Sequence, residues 1–345
     1  MPALLETRHA TKVFGGGGLR KAPGMVALND LSFRVDVDPP TITAVVGESG
    51  SGKTTLARML LGLIAPTDGA VLYRGKDVQR LSGEERKRFL REIQVIFQDP
   101  YEVYNPFYKV DHVLETPITE FRLAPTREGG RALMEEALNA VGLRPEETLG
   151  RYPHQLSGGQ RQRIMVARAL LLRPRLIIAD EPVSMVDASL RATILESLRQ
   201  LHVRFDISLL YITHDLTTAY QISRDILVMY RGDVVEAGAV GLVVKEPLHP
   251  YTQLLIHSIP QADPSQSWQG YEIVADPATP PTALQGCCKF ADRCPHVMDI
   301  CRTTVPPLFR VDERRAAACF LYRESPELAA VELNSVLTAP VPTGA

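Results

Sequence analysis

The chain has 345 residues, of which 45% are hydrophobic and 23% charged, and its formal net charge at pH 7 is -2. These values are typical of a globular protein with room for two domains, and the charge argues against a global basic surface for nucleic acid. The N-terminus lacks a charged segment followed by an apolar run, so no secretory signal is expected. No uninterrupted apolar window could span a bilayer. We therefore expect a cytoplasmic protein that reaches a membrane only through a partner, and in which structural disulfides are disfavoured.

The elements predicted along the chain alternate between strands and helices. Residues 1–46 predict strands and turns, and the four glycines from Gly15 predict a hairpin loop. Residues 56–64 predict an apolar helix, and residues 99–165 predict a mostly helical region. The stretches RLIIAD and ISLLYITHD predict buried strands on either side of an amphipathic helix, ASLRATILESLRQLHV. This alternation indicates a parallel sheet with helical crossovers. After HPYTQLL, prolines at 260, 264, 277, 280 and 281 predict a linker to a tail that contains every cysteine of the chain.

The stretch ITAVVGESGSGKTTLARML predicts a phosphate-binding loop between a strand and a helix. Its G-x-x-x-x-G-K-T pattern uses backbone N–H groups and the helix N-terminus to surround a β-phosphate. Lys53 would reach the β- and γ-phosphates, and the Thr54 hydroxyl would bind Mg²⁺. The residues expected to contact ATP are Gly47, Glu48, Ser49, Gly50, Ser51, Gly52, Lys53, Thr54 and Thr55.

The stretch RLIIADEP predicts the acidic partner of that loop. Asp180 ends a buried strand and could bind Mg²⁺, and Glu181 follows it in position to polarise the attacking water. The two motifs together predict hydrolysis of a nucleoside triphosphate.

The stretch LSGGQRQR, residues 156–163, predicts a second anion site. Ser157 would cap a helix, and Gly158 and Gly159 would let a phosphate approach the backbone. One nucleotide does not need two such loops on one face. We therefore predict that Ser157–Gln160 contact the γ-phosphate held by another copy of the fold, in a dimer with two shared sites.

With these motifs, residues 4–257 resemble the ATP-binding subunits of ABC transporters. The resemblance implies an α/β fold: a P-loop ABC ATPase domain with a RecA-like core, an antiparallel β edge and a helical subdomain at about 99–165. It implies that Phe14 stacks on adenine, that Gln98 senses Mg²⁺ and the γ-phosphate, and that His214 contacts the γ-phosphate and aligns the water. Ser184 and Asp187 would form the loop joining the two sites, with Asp187 contacting the ATP of the partner subunit. Met185 and Val186 depart from the family's small residues there, which bears on communication between the sites rather than on hydrolysis.

Several functions share this ATPase, and the sequence favours an importer motor. DNA-repair and chromosome-structure members insert long coiled coils, translation-factor members carry two such domains, and exporters usually fuse membrane helices; none of these features occurs here. The sequences DPYEVYNPFY (99–108) and HPYTQLL (249–255) resemble those of the oligopeptide and dipeptide importer ATPases. The aromatic residues Tyr101, Tyr104, Phe107 and Tyr108 could seat a permease helix or pack locally, and both interpretations stay open.

The tail, residues 258–345, also resembles that subfamily, which ends in a proline-rich linker and a G-C-x-F-x-x-R-C-P pattern. The matching cysteines are Cys288, Cys294, Cys301 and Cys319, while Cys287 stands where the family usually has glycine. Four thiolates suit Zn²⁺ or a [4Fe–4S] cluster. The wide spacing and the resemblance favour the cluster, with zinc and free thiols as alternatives. A slip of register by one residue would exchange Cys287 and Cys288.

The sequence thus predicts an ATP-hydrolysing subunit at the cytoplasmic face of the membrane, powering an importer of oligopeptides or dipeptides. Its predicted partners are a homologous ATP-binding subunit, two permease subunits and, through them, a substrate-binding protein. Relatives of the subfamily that carry nickel or oligosaccharides leave the cargo open. A soluble ABC ATPase with a redox-sensing tail and no permease is the competing class.

Overall fold

The computed structural model of the chain describes residues 3–15, 24–99, 104–184, 186–259 and 286–338. The linker prolines, Gly16–Gly18, Tyr101 and Met185 lie outside these residues. The described strands are β1 (Leu5–Phe14), β2 (Met25–Val35), β3 (Ile42–Val46), β4 (Asp68–Tyr73), β5 (Lys76–Asp77), β6 (Ile93–Ile96), β7 (Leu176–Asp180), β8 (Ser208–Thr213), β9 (Asp225–Tyr230), β10 (Asp233–Ala239), β11 (Leu308–Asp312), β12 (Arg315–Ala317) and β13 (Glu327–Leu328).

The α-helices alternate with these strands over most of the chain. They are α1 (Lys53–Leu60), α2 (Gly83–Glu92), α3 (Asp111–Glu120), α4 (Arg127–Ala140), α5 (Pro145–Thr148), α6 (Gly158–Leu171), α7 (Ala188–Phe205), α8 (Leu216–Ile222), α9 (Val240–Lys245), α10 (Pro250–His257) and α11 (Leu333–Thr338). Within the described ranges, no helix combines the length and apolar character needed to cross a membrane.

Two units make up the described chain. The first contains the described residues of Met1–Val35, Thr43–Arg80 and Thr213–Ala345, and the second contains those of Asp36–Ile42 and Leu81–Ile212. The first unit has an antiparallel sheet with strand order β2-β1-β4-β5 and a second run of strands in the order β13-β11-β12-β10-β9-β3. β3 and β9 are parallel, whereas β9, β10, β12 and β11 pair antiparallel.

The second unit has the parallel strands β8-β7-β6, with Leu176 opposite Ile93 on one side and Ser208 on the other. Every residue of β7 and β8 is buried, as expected for parallel strands covered on both faces. The predicted helical region contains α3 to α6. α4 begins after Thr126, whose hydroxyl accepts a hydrogen bond from the Gly129 N–H at 3.1 Å.

The tail is joined to the first unit by strand pairing. β12 pairs with β10 through Glu236–Ala317 and Ala237–Ala316, and α11 is tied to β2 because Asn334 exchanges two hydrogen bonds with the backbone of Arg34. The limits of the ATPase domain (1–257) and of the C-terminal extension (258–345) stay a prediction from the sequence. The hydrogen bonds nevertheless make residues 286–338 an extension of the sheet that β9 and β10 begin.

Candidate functional site

The phosphate loop follows β3 directly, and two glycines in it have no room for a side chain. A Cβ on Gly47 would lie 2.2 Å from the Met229 carbonyl oxygen, and one on Gly52 would lie 2.4 Å from that of Ala27. Gly52 also has φ of 106°, a region that favours glycine. Helix α1 begins at Lys53, three residues before the predicted start at 56, so its N-terminus is aimed at the loop.

The loop's lysine is held by the backbone it would serve. Lys53 Nζ donates hydrogen bonds to the carbonyl oxygens of Gly47 at 2.7 Å and Glu48 at 3.0 Å. The hydroxyl of Ser51 is buried and has no hydrogen-bond partner among the described residues. An ammonium, a free buried hydroxyl and a glycine cradle at a helix N-terminus fit a bound phosphate chain.

The carboxylates lie in the second unit, at the end of β7. Asp180 is buried, and Glu181 follows with φ of 47°. Its N–H donates to the Ile212 carbonyl at 2.8 Å, and its side chain accepts a hydrogen bond from Gln98 Nε2 at 3.1 Å. A non-glycine residue at positive φ is held there by its surroundings, commonly at functional sites. The structure therefore brings Gln98 and Glu181 together, which the sequence could not show across 83 positions.

The hydroxyl of Ser184 donates to the Glu181 carbonyl at 2.9 Å, so the loop leading to α7 is anchored on the same residue. Asp187 is exposed at the N-terminus of α7. Ser157 is the N-cap of α6: its hydroxyl accepts from the Gln160 N–H at 3.2 Å, and its own N–H donates to Gln160 Oε1 at 2.9 Å. This capping box presents Gly158 and Gly159 in the first turn of the helix.

Two further predicted ATP residues lie in the first unit, along with the phosphate loop. Phe14 is 41% exposed at the end of β1, with Lys12 Nζ 5.3 Å from its ring centroid. His214 is exposed directly after β8 and precedes Asp215, which caps α8 by accepting from the Thr217 N–H at 2.8 Å. An exposed ring fits stacking on a base, and an exposed imidazole fits contact with a phosphate.

The described aromatic residues of the stretch after Gln98 divide into two kinds. Tyr104 is buried, and its hydroxyl donates to the Arg161 carbonyl at 2.8 Å, so it belongs to the core of the second unit. Phe107 is 85% exposed, and Tyr108 stacks on His112 with ring centroids 4.7 Å apart. Local packing therefore accounts for Tyr104, while Phe107 and Tyr108 are left on the surface.

The four cysteines that match the subfamily pattern line one small cavity of about 10 Å³, beside His249 and His296. None of the five cysteines forms a disulfide, and Cys287 is buried outside this cavity lining. Burial and neighbouring thiols raise the pKa of Cys288 to about 12 and that of Cys319 to about 11, so both are protonated at neutral pH. In the described residues no three His, Cys, Asp or Glu side chains are arranged to hold a metal ion.

Two residues of HPYTQLL, His249 and Tyr251, form buried hydrogen bonds in the structure. His249 is fully buried with a pKa lowered to about 3 by burial, and its Nδ1 accepts a hydrogen bond from the Tyr251 N–H at 3.0 Å. The N–H groups of Leu248 and His249 both donate to the buried carboxyl group of Glu236 at 2.9 Å. The Tyr251 hydroxyl accepts from the Glu48 N–H at 2.8 Å. The backbone N–H of Glu48, a residue expected to contact ATP, is thus bonded to the protein itself.

Comparisons with known proteins agree with this geometry. Residues 28–184 match the family model described as ABC transporter, and residues 235–301 match the model described as oligopeptide/dipeptide transporter, C-terminal region. YkfD of Bacillus subtilis is 42% identical over 93% of this chain and 96% of that protein. The oligopeptide transport ATP-binding protein AppF of the same species is 38% identical, over 92% of this chain and 97% of AppF. The di/tripeptide transport ATP-binding protein DppF of Pseudomonas aeruginosa is 37% identical, with the same two coverages.

Solved structures give the same fold. The dimeric ATP-binding cassette MJ0796 bound to ADP and Pi superposes with a TM-score of 0.60 at 26% identity, covering 68% of this chain and 98% of that one. CbiO1 from Clostridium perfringens also has a TM-score of 0.60, at 23% identity over 71% of this chain and 92% of that one. The chain is an ABC ATPase. It belongs to the ATP-binding proteins of the ABC transporters, in the oligopeptide/dipeptide group, and the predicted family and fold class are confirmed.

Proposed function

We propose that this chain binds and hydrolyses ATP at the cytoplasmic face of the membrane and powers import of oligopeptides or dipeptides. The observation that carries the proposal is its similarity to AppF and DppF over 92% of the chain, which extends into the cysteine-containing tail. In this role it pairs with a homologous ATP-binding subunit, two permease subunits and, through them, a substrate-binding protein. Phe107 and Tyr108 are surface residues that a permease helix could contact.

ATP would be held by Gly47–Thr55 and Phe14, with Mg²⁺ on Thr54, Gln98 and Asp180. Glu181 would act as the general base, and His214 would contact the γ-phosphate and help align the attacking water. Ser157–Gln160 and Asp187 would contact the ATP of the partner subunit. The hydrogen bond from Gln98 to Glu181 supports a shared role, because it fixes the carboxylate that would take the proton. Cargo recognition lies outside this subunit, so nickel or oligosaccharide import remains the alternative for the substrate.

Substitution of the general base tests the catalytic part of the proposal. Glu181→Gln should keep ATP binding and lower turnover by ~10²–10⁴, the usual value of a general base. Turnover is measured as phosphate release by the assembled complex, and binding is measured by titration of ATP into the same variant. Unchanged turnover in the assembled complex would contradict the role of Glu181.

The tail cysteines are proposed to hold a [4Fe–4S] cluster through Cys288, Cys294, Cys301 and Cys319. Support comes from their lining of a single cavity, from their wide spacing and from the fit of four thiolates to such a cluster. Because the described thiols are not arranged to hold a metal ion, they would have to move closer together and lose their protons, as metal binding requires. The cluster would add four bonds between separate segments of the tail. Zinc bound by the same residues is the alternative.

Metal analysis distinguishes these cases. The chain is purified anaerobically, and iron, zinc and acid-labile sulfide are measured per protein, beside an absorbance scan. We expect about four irons and four sulfides, lost in Cys294→Ser and retained in Cys287→Ser, which alters the cysteine outside the cavity lining. One zinc without sulfide would make the tail a zinc site, and absence of both metals would contradict a metal centre altogether.

A further inference from the structure

The cysteine module (residues 286–322) reaches the phosphate loop through the arginine that precedes Cys294. The Arg293 guanidinium donates two hydrogen bonds to the Glu48 carboxylate, each 3.0 Å long, in a bidentate ion pair. The same guanidinium donates to the Tyr230 hydroxyl at 3.3 Å and lies 5.6 Å from the ring centroid of Phe290. A planar fork held on an aromatic surface is pre-organised for this contact.

Glu48 is also held from the backbone side. Its N–H donates to the Tyr251 hydroxyl at 2.8 Å, and the Tyr251 ring is buried against Tyr230, with centroids 4.5 Å apart. Phe290 of the module packs on both tyrosines at 5.4 and 5.6 Å. The backbone N–H and the side chain of Glu48 are thus both held by one cluster. Tyr230 and Tyr251 form one part of this cluster, and Phe290 and Arg293 of the module form the other.

A second contact connects the module to the loop through the turn between β9 and β10. Lys289 Nζ donates to the Arg231 carbonyl at 2.8 Å and forms an ion pair with Asp233 at 3.0 Å. Gly232, which lies between Arg231 and Asp233 in this turn, donates its N–H to the Ser51 carbonyl at 2.9 Å. The module therefore contacts Glu48 directly and is connected to Ser51 through the β9–β10 turn.

The fixed segment bears on phosphate binding because Lys53 Nζ donates to the carbonyl oxygens of Gly47 and Glu48. Movement of the backbone at Glu48 would move the ammonium and the N–H groups that follow. Within the ATP site proposed above, we propose that Arg293 is a positioning residue: it holds the phosphate loop in its binding form through Glu48, and thereby makes nucleotide affinity depend on the integrity of the cysteine module.

Binding of MgADP to the full-length chain, followed by calorimetry, tests this without hydrolysis. Arg293→Gln should raise the Kd about threefold to tenfold, the range expected for a partly exposed bidentate ion pair. Glu48→Gln should do the same, and the double variant should be no weaker than either single variant, because both changes remove one interaction. Arg293→Lys keeps the charge but loses the fork and should give an intermediate Kd. In steady-state assays of the assembled complex, Arg293→Gln should raise the KM for ATP and change kcat by less than about twofold.

The matched control is Arg302→Gln. Arg302 lies in the same module, beside Cys301, and pairs with Asp292 at 3.8 Å rather than with the loop. The Kd of this variant should stay within about twofold of that of the unaltered chain, since a long contact between partly exposed side chains contributes little. Cys294→Ser should raise the Kd for MgADP, as Arg293→Gln does. In the double variant Cys294→Ser with Arg293→Gln, the Kd should be little higher than in Arg293→Gln alone.

Lys53→Ala separates failure of this inference from failure of the proposed function. Loss of MgADP binding in Lys53→Ala with an unchanged Kd in Arg293→Gln, Arg293→Lys and Glu48→Gln would overturn the positioning role alone. An unchanged Kd in Lys53→Ala would overturn the proposed nucleotide site. Additive effects of Arg293→Gln and Glu48→Gln would also overturn the inference, because they would indicate independent structural damage.

Discussion

One residue of the acidic motif is held in a backbone conformation that costs free energy. Glu181 has φ of 47°, which costs of the order of 1–3 kcal/mol for a residue with a side chain. The surroundings maintain it through the N–H bond to Ile212 and the side-chain bond from Gln98. The proposed base is thus fixed before any substrate binds, so that little reorganisation would be needed during the reaction.

Two glycines of the phosphate loop allow backbone strain to be separated from steric exclusion. Gly50 and Gly52 both have positive φ, but a Cβ on Gly50 meets nothing within 4 Å, whereas one on Gly52 lies 2.4 Å from the Ala27 carbonyl oxygen. Gly50→Ala should therefore lower the free energy of unfolding by about 1–2 kcal/mol. Gly52→Ala should lower it by more than about 3 kcal/mol because a clash is added. Thermal unfolding without nucleotide measures both; equal losses would contradict the steric argument.

Among the elements, the β11–β12 hairpin is connected to β9 by a buried ion pair. Arg314 and Asp225 are 1% and 3% exposed in their side chains and form a salt bridge between the hairpin and β9. Arg314 also donates to the Leu337 carbonyl at 2.8 Å, which brings the end of α11 to the same point. Burial raises the pKa of Asp225 to about 6 even beside this arginine. The pair thus orients the tail strands, although its net contribution to stability need not be large.

Removing one member of that pair should be far worse than removing both charges. Arg314→Met leaves the buried Asp225 carboxylate with only the longer, 3.9 Å contact to the exposed Arg224, and should destabilise the first unit by about 3–5 kcal/mol. Arg314→Met combined with Asp225→Asn should recover part of that loss, because the buried negative charge is gone. Urea unfolding of the two variants at pH 7.5 compares them. A double variant no more stable than the single one would assign the loss to packing instead.

For the whole molecule, the tail is built into the unit that contains the phosphate loop. β12 lies on the β10 edge, Phe290 packs with Tyr230 and Tyr251, and Arg293 binds Glu48. A tail attached in this way is part of the ATPase rather than a separate appendage. The proposed effect of the tail on nucleotide binding would act through the contacts that Arg293 and Lys289 make.

At the same scale, co-purification distinguishes an importer motor from an ABC ATPase without a permease. The tagged chain, isolated from native membranes in detergent with ATP and Mg²⁺, should bring a homologous ATP-binding subunit and membrane-spanning subunits in equal amounts. Glu181→Gln should retain the pair of ATP-binding subunits longer, because uncleaved ATP holds both halves. Recovery of the chain alone, or only as a self-pair without membrane subunits, would favour the alternative class.

The sequence by itself determined the ATPase fold class and the family, because these depend on local patterns: glycine spacing before a helix, apolar strands that end in carboxylates, and a Ser-Gly-Gly helix start. The strands β7 and β8 lie in RLIIAD and ISLLYITHD, where the sequence predicts them, and α3 to α5 lie in the predicted helical region 99–165. Short apolar periods and caps act within a few residues, so no tertiary information is needed.

Only the tertiary structure decided which distant residues meet. Four cysteines line one cavity. Three further contacts join residues 83 to 245 positions apart: the bond from Gln98 to Glu181, the bond from the Glu48 N–H to Tyr251 and the Arg293–Glu48 ion pair. HPYTQLL was recognisable as a motif, but its role follows from the packing of Phe290 and Tyr251 against β9. Such contacts depend on strand order and side-chain burial across the sheet, which no local period encodes.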